Sequence, residues 1–521
     1  MNSLPKTQHP PRTSLLLHGA AAFLAALVFA TGCAQTSTSV GDSPGGAAPS
    51  ATQEEDSMGD VVGDWRGAIR VNGQELPLVF HISRTDGELT ATMDSPAQAA
   101  AGIPVDRVRY ADGSLELRMT ALGATYVGTP NDAGTEIAGT FRQSGMELEL
   151  NLTRSGEAER RTRADASSPA AAPRRPQEPE PPFPYVSQNV TFVNEDAGVE
   201  LAGTVTRPDG DGPFPAAVLI SGSGRQNRNE EIMGHKPFLV LADALTRAGV
   251  AVLRYDDRGV GGSGGAGTVA EATARDFAGD AAYALRFLSG RPYVDPGRAG
   301  LVGHSEGALI AAMIAGEVHE TPAGTDPLPI EVDPAFVVML GGEGVPGDEL
   351  LMMQSAALLR ASGASEEYTD RIARANRKVY DILLSDTPRD EAAEQVAQIQ
   401  RELGMNDEQI AVQRSALFSP WFDFFLRYDP AHALQRIEVP VLAVIGELDR
   451  QVPPEGNLPE IRSALESAPT DDYTVRELAG LNHLLQPAET GGIEEYSRIE
   501  TTIAPEALEL VTGWIGERFT R

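Results

Sequence analysis

Ser305 sits at the centre of Gly303-His304-Ser305-Glu306-Gly307, a spacing that can turn a serine hydroxyl into a nucleophile if a strand runs into a helix through a sharp turn there. The bare pattern is weak evidence, because in a chain with 53 glycines it is expected by chance about 0.3 times. Gly41-Asp42-Ser43-Pro44-Gly45 and Gly261-Gly262-Ser263-Gly264-Gly265 also match, one in a Ser/Thr/Gly tract and one in a glycine-rich loop. Only Ser305 has the required setting. Residues Arg298 to Val302 read as a short apolar strand, and Ala308 to Ala315 form a helix-favouring run without proline or glycine. Ser305 is therefore expected at a helix N-terminus, where the backbone N–H of Glu306 can hold a developing oxyanion.

A serine needs a base, and in this strand-turn-helix arrangement the partners follow in the order serine, acid, histidine. The chain has eight histidines. His9 and His18 fall in an N-terminal leader, His81 in a separate domain, and His235 and His304 precede the serine. His319 follows the nucleophile helix too closely, and His432 comes before the strand expected to supply the acid. His483 remains, in the loop Gly480 to Gln486 after the strand-like Tyr473 to Leu478. The apolar run Val439 to Gly446 reads as a buried strand, and Asp449 stands just past its carboxyl end, where an open parallel sheet places its working residues. Asp449 is the preferred acid and Glu447 the second choice.

The other oxyanion donor should follow an earlier strand. Pro215 to Ile220 is such a strand, and it runs into Ser221-Gly222-Ser223-Gly224. The backbone N–H of Ser223 is the candidate, with Gly222 letting the chain come close. A Walker motif is excluded because no Gly-Lys-Ser/Thr follows.

Five stretches together resemble bacterial α/β-hydrolases of the serine aminopeptidase-like group, often described as esterases or peptidases. They are Leu219 to Glu230, Gly234 to Phe238, Leu253 to Gly261, Gly303 to Gly307 and Leu481 to His483. The resemblance covers residues 185–521. It implies a mostly parallel sheet with helices on both faces and a triad of Ser305, Asp449 and His483. The reaction it implies is ester hydrolysis through an acyl-enzyme. A serine peptidase is the runner-up, and amide cleavage would also need an amine-recognition site, for which no carboxylate of the cap stands out. A non-catalytic envelope binding protein is the alternative of another class.

Between the sixth and seventh strands, residues 346–437 read as amphipathic helices, such as Asp348 to Leu359 and Ala392 to Leu403, and are expected to form a cap. Trp421, Phe422, Phe424 and Phe425 near its end are expected to pack the cap on the core, with lining a substrate pocket the sharper alternative.

The N-terminal third reads differently. Lys6 and Arg12 precede an apolar stretch from Ser14 to Ala30, which ends in Ala30-Thr31-Gly32-Cys33-Ala34. Cys33 is the single cysteine, so no internal disulfide exists. Small residues before a lone cysteine resemble a bacterial lipobox, which implies a signal peptide over 1–32, lipidation at Cys33 and membrane anchoring in the cell envelope, with Ala34 favouring the outer membrane. Residues 33–58 are a flexible Ser/Thr/Gly/Pro tether. Over 59–154 short alternating segments recur between turn signals: Trp65 to Val71, Leu76 to Ile82, Leu89 to Met93, Leu115 to Met119, Ala124 to Gly128, Glu136 to Phe141 and Met146 to Leu152. They predict a small antiparallel β-barrel or sandwich, which resembles the lipocalin-like module found beside this hydrolase group. Residues 155–184 are expected to be a proline-rich linker.

The formal net charge of −32 argues against a nucleic-acid partner, because phosphate neutralisation needs a basic face. No His/Cys/carboxylate cluster has metal-ligand spacing, so neither metal nor cofactor is expected. A small-molecule ester is the expected partner.

Overall fold

The structure is a computed structural model that describes residues 61–154 (except 72–73, 86–87, 96–99, 112, 120–123, 132 and 144–145), 175–317 and 332–520. Cys33, the leader, the tether and the first part of the linker lie outside the described residues, as does His319. The chain divides into two compact units, a sheet domain and the domain from Arg175 onward.

The sheet domain is a single antiparallel sheet of ten strands. Its outermost strands along the main path, Ala100–Val105 and Arg107–Ala111, are separated in sequence by Asp106 alone, so the sheet curls until its two edges meet. Alternation decides which side is inside. In Ser114–Met119, Leu115, Leu117 and Met119 are buried while the residues between them are not, and the same face carries Trp65, Phe80, Tyr126 and Phe141. The seven segments expected from alternation all lie in strands, but Met146 to Leu152 is two strands, Met146–Glu149 and Leu152–Arg154. The strands Ala100–Val105 and Arg107–Ala111 were not anticipated. The first reads Ala-Ala-Gly-Ile-Pro-Val, without alternation and with a proline, which edge strands tolerate.

The second unit is an eight-stranded sheet. In chain order its strands are β1 Val186–Asn194, β2 Val199–Arg207, β3 Phe214–Ile220, β4 Ala251–Tyr255, β5 Val294–His304, β6 Val337–Leu340, β7 Val441–Gly446 and β8 Tyr473–Leu478. Their order in space is β1-β2-β4-β3-β5-β6-β7-β8. β1, β2 and β4 pair antiparallel in succession, and every pair from β4-β3 to β7-β8 is parallel. The central strands read as unbroken apolar runs because both faces are covered. Ala216, Val218 and Ile220 of β3 face the core under the helices Ala274–Ser289 and Glu306–Glu317. Ala217 and Leu219 face the opposite core, under Pro237–Arg247 and Pro505–Phe519.

Between β6 and β7 the chain inserts helices Gly347–Ala361, Glu366–Leu384, Arg389–Glu402, Asp407–Leu417, Pro420–Arg427 and Ala431–Leu434, within the range expected of the cap. The helix Glu306–Glu317 is apolar nearly all round, as suits a helix held between sheet and cap. At its far end the buried Glu317 takes Arg275 at 2.6 Å and the Tyr428 hydroxyl.

The expected linker ends earlier than its prolines suggested. Arg175 donates to the carbonyls of Ile499 and Ser497, Gln177 donates to Ile503 O and accepts from Thr502 N, and Lys236 pairs with Glu178. Composition registered the prolines and missed the polar side chains that fasten this stretch to the second unit.

Candidate active site

β5 ends at His304 and the next helix begins at Glu306, so Ser305 alone carries the reversal, at φ 55°. A left-handed non-glycine residue costs about 1–3 kcal/mol and persists only where its surroundings force it. Here they do. The Ser305 N–H donates to Leu340 O at 2.8 Å, and both flanking glycines are dictated by backbone contact. A Cβ on Gly303 would collide with Gly307 O, and one on Gly307 with Ile220 O. The Glu306 N–H belongs to the first turn of the helix, whose amides have no intrahelical acceptor.

His483 and Asp449 meet across 34 residues. The Nδ1 of His483 lies 2.7 Å from Asp449 Oδ2, and both side chains are buried. Asp449 Oδ1 accepts the backbone N–H groups of Gln451 and Val452 at 2.9 and 2.8 Å. Three contacts thus fix the carboxylate through its two oxygens. Because the acid accepts at Nδ1, that nitrogen carries the proton and Nε2 is left basic. Glu447, the second choice, is exposed and accepts from Gly480 N instead. Asn482 holds the histidine loop by accepting from Leu484 N and Gln486 N. Gly341, at φ 60°, lies so close that a Cβ there would sit 3.1 Å from the His483 ring.

The loop after β3 comes up to the serine. A Cβ on Gly222 would lie 3.0 Å from Ser305 Cβ. The Gly222 N–H is already used, donating to Glu230 Oε1 at 2.7 Å, while Ser223 lines the same cavity as Ser305. Glu230 Oε1 also takes His304 Nδ1 at 2.9 Å, and His304 Nε2 donates to the backbone oxygen of His483 at 3.0 Å. One buried histidine therefore links the loop after β3, the elbow and the loop of His483, its ring 4.8 Å from that of His483. Burial alone would lower the His304 imidazolium, but the Glu230 carboxylate and its hydrogen bond, with the His483 carbonyl, raise it to about 9. The surrounding loops are fixed by Arg228 on Asp256 at 2.6 Å and by the buried pair of Arg258 and Asp280 at 2.7 Å. Removing one partner of the latter should cost about 3–5 kcal/mol.

Ser305 opens on a small cavity of about 40 Å³, bounded by Glu306, Glu343, Gln354, Trp421 and Phe425 among others. Trp421 and Phe425 stack at 5.2 Å, and the Trp421 Nε1–H donates to Glu306 Oε1 at 2.6 Å. The cap aromatics thus do both things weighed for them: Phe422 and Phe425 are buried in the core and also bound the cavity, while Phe424 stacks on Tyr428. Burial pushes the carboxyl of Glu306 up to about 8 and that of Glu343 up to about 7.

Sequence reasoning placed Ser305, Asp449 and His483 but missed the side chains of Glu230, Glu306 and Glu343. Glu230 had one signal, its place in the polar run after β3, and nothing in that run says which residue turns inward. His235, set aside by chain order, is buried between Thr502 Oγ1 and Tyr496 O, a structural arrangement. Among the described residues no group of three or more His, Cys, Asp or Glu is placed to hold a metal ion.

Several known proteins are similar to parts of this chain. The chain is 29% identical over 263 residues to the esterase EstD of Thermotoga maritima, which covers 50% of this chain and 53% of that protein. It is 33% identical over 132 residues to an uncharacterised protein of Mycobacterium tuberculosis, 25% of this chain and 41% of the other. The chain spans about half the length, or less, of these curated relatives. Among solved structures, the Pyrococcus furiosus esterase Pf2001 is similar at 16% identity and a TM-score of 0.39, over 65% of this chain and 92% of that one. Est1E of Butyrivibrio proteoclasticus with ferulic acid bound is similar at 14% identity and a TM-score of 0.34, over 63% and 96%. The model of the alpha/beta hydrolase family matches residues 217–490, more than half of the 521. With strand order, elbow and family match in agreement, the chain belongs to the alpha/beta hydrolase family.

Proposed function

We propose that this protein is a serine hydrolase that cleaves carboxylic esters. The observation that carries the reading is the buried bond of His483 Nδ1 to Asp449 Oδ2, beside a serine held at φ 55° on the elbow. His483 Nε2 takes the proton of Ser305 Oγ as the oxygen attacks the ester carbonyl. Asp449 orients the ring and stabilises the imidazolium that forms. The backbone N–H groups of Glu306 and Ser223 receive the oxyanion, each worth about 3 kcal/mol in the transition state. His483 then protonates the departing alkoxide, and water, activated by the same imidazole, hydrolyses the acyl-enzyme.

The similarity to an esterase supports ester over amide chemistry. The test is turnover of p-nitrophenyl butyrate against an aminoacyl anilide, by wild type and Ser305→Ala. Ester turnover lost in the variant supports the reading, faster anilide turnover makes the protein a peptidase, and no turnover of either makes it a non-catalytic binding protein.

The remaining N-terminal proposals rest on sequence. Cys33 is the lipidated first residue of an envelope lipoprotein, and the sheet domain is its lipocalin-like module. Cys33→Ser should move the protein from the membrane fraction to the soluble fraction.

A further inference from the structure

The cavity on which Ser305 opens is lined with hydrogen-bond acceptors that lack donors. Glu343, in the turn after β6, is 3% exposed, and its Oε2 has no partner. Its carboxyl is otherwise bonded only by its own backbone amide. Gln354, on the cap helix Gly347–Ala361, is 8% exposed. Its Nε2 donates to Gln451 O at 3.2 Å, which fixes the amide orientation because a carbonyl accepts only from the NH₂ end. That leaves Gln354 Oε1 as a second acceptor without a donor. Glu306, on the elbow helix, is 3% exposed and carries the second carboxyl, which accepts from the Trp421 indole.

These acceptors arrive from three separate elements, and two of them are orphaned although fully enclosed. A buried acceptor without a donor carries the whole desolvation penalty of its group. No lysine or arginine lines the cavity to offset the two carboxyls. A bound group that brings several N–H donors and a positive charge meets all of these deficits at once. The stacked faces of Trp421 and Phe425 add the aromatic wall that favours a cation. The alternative, an acyl chain, would leave Glu343 and Gln354 unbonded.

We propose that this cavity is a subsite for a protonated amine on the acyl part of the substrate, with Glu343, Gln354 and Glu306 as its acceptors, so that the esters cut are amino-acyl esters. The inference rests on the serine-hydrolase reading above and deepens it. The acyl part is the one retained on Ser305, so a group a few bonds from the attacked carbonyl stays in the same cavity. About 40 Å³ accommodates an ammonium head and little more.

The test compares β-alanine methyl ester with methyl butanoate, which differ only in an ammonium against a methyl group, on the full-length protein at pH 7. The expected kcat/KM ratio favours the amino ester by about tenfold or more, as charge-assisted hydrogen bonds do. Glu343→Gln should lower that ratio, mainly through KM of the amino ester, and fluorophosphonate labelling reports whether the variant is folded. A second measurement needs no variant. Propylammonium should compete with methyl butanoate in the wild type, and more strongly as pH rises from 6 to 9. Burial holds part of the Glu343 and Glu306 population protonated until about 7 and 8, with Glu343 and Asp257 facing Glu306, and His304 and Asp449 facing Glu343. The inhibitor keeps its proton across that range, as lysine does.

A wild type that is labelled and prefers methyl butanoate overturns the amine subsite and leaves the hydrolase reading standing. So does a Glu343→Gln variant that keeps the preference, or propylammonium without effect. A wild type that is neither labelled nor active on either ester overturns the hydrolase reading, and the subsite with it.

Discussion

His304 and Glu230 form a buried pair, 2.9 Å from ring nitrogen to carboxyl, that ties the nucleophile elbow to the loop carrying Ser223. The same carboxyl oxygen holds the Gly222 N–H, and the other ring nitrogen holds His483 O, so three segments of the candidate site share one anchor. Glu230→Gln keeps the shape and removes the charge. It should lower kcat about 10- to 100-fold with KM little changed, because slight misplacement of reacting groups is expensive. Steady-state kinetics on an ester decide this, and an unchanged kcat would make the pair purely structural.

Stability should fall as pH rises from 5 to 9. His304 is raised from 6.5 to about 9 in the fold, so its contribution is complete below 6.5 and lost as pH climbs through 9. Burial raises the carboxyls of Glu306 and Asp257 to about 8 and that of Glu343 to about 7, so the fold also binds their protons more tightly than the unfolded chain does above about 4.5. All four slopes have the same sign. Thermal unfolding across this range should show the midpoint dropping, with a shallower decline in Glu306→Gln, and a flat or rising midpoint would contradict the assignment.

Asp449→Asn and Glu447→Gln separate the two acids. The first should cost about 10⁴ in kcat, because an amide at Asp449 favours the wrong imidazole tautomer. The second, whose side chain faces Gly480 at the surface, should change kcat by less than about twofold. Equal effects in a parallel assay would undo the choice of Asp449.

Gly303→Ala should destabilise the hydrolase unit by about 3 kcal/mol or more, since its methyl meets the Gly307 carbonyl and backbone cannot step aside as a side chain can. Urea unfolding measures this, and a loss below about 1 kcal/mol would mean that the elbow is looser than its geometry.

The chain reveals its site unevenly. Ser305, Asp449 and His483 are legible as candidates because each follows a strand: the last part of β5 and all of β7 are apolar runs, and β8 carries the β-favouring Tyr473, Thr474 and Val475. Asp449 could be preferred over Glu447 by its place in the loop, but only the fold gives the reason, two backbone amides converging on Oδ1. Glu230, Glu306 and Glu343 read as ordinary polar residues. Their burial depends on contacts with residues far off in sequence, such as Trp421 with Glu306 across 115 positions, which no local pattern encodes. The strand Ala100–Val105 was hidden for the opposite reason: its residues lack alternation, and pairing with Glu88–Ser95 makes it a strand.

Ser305 is the proposed nucleophile. Peptide mass spectrometry of the full-length protein after fluorophosphonate treatment tests it most directly. One adduct is expected, on Ser305, whose formation abolishes ester turnover and which is absent from His483→Ala. An adduct on another serine, or full ester turnover with Ser305 unmodified, would contradict it.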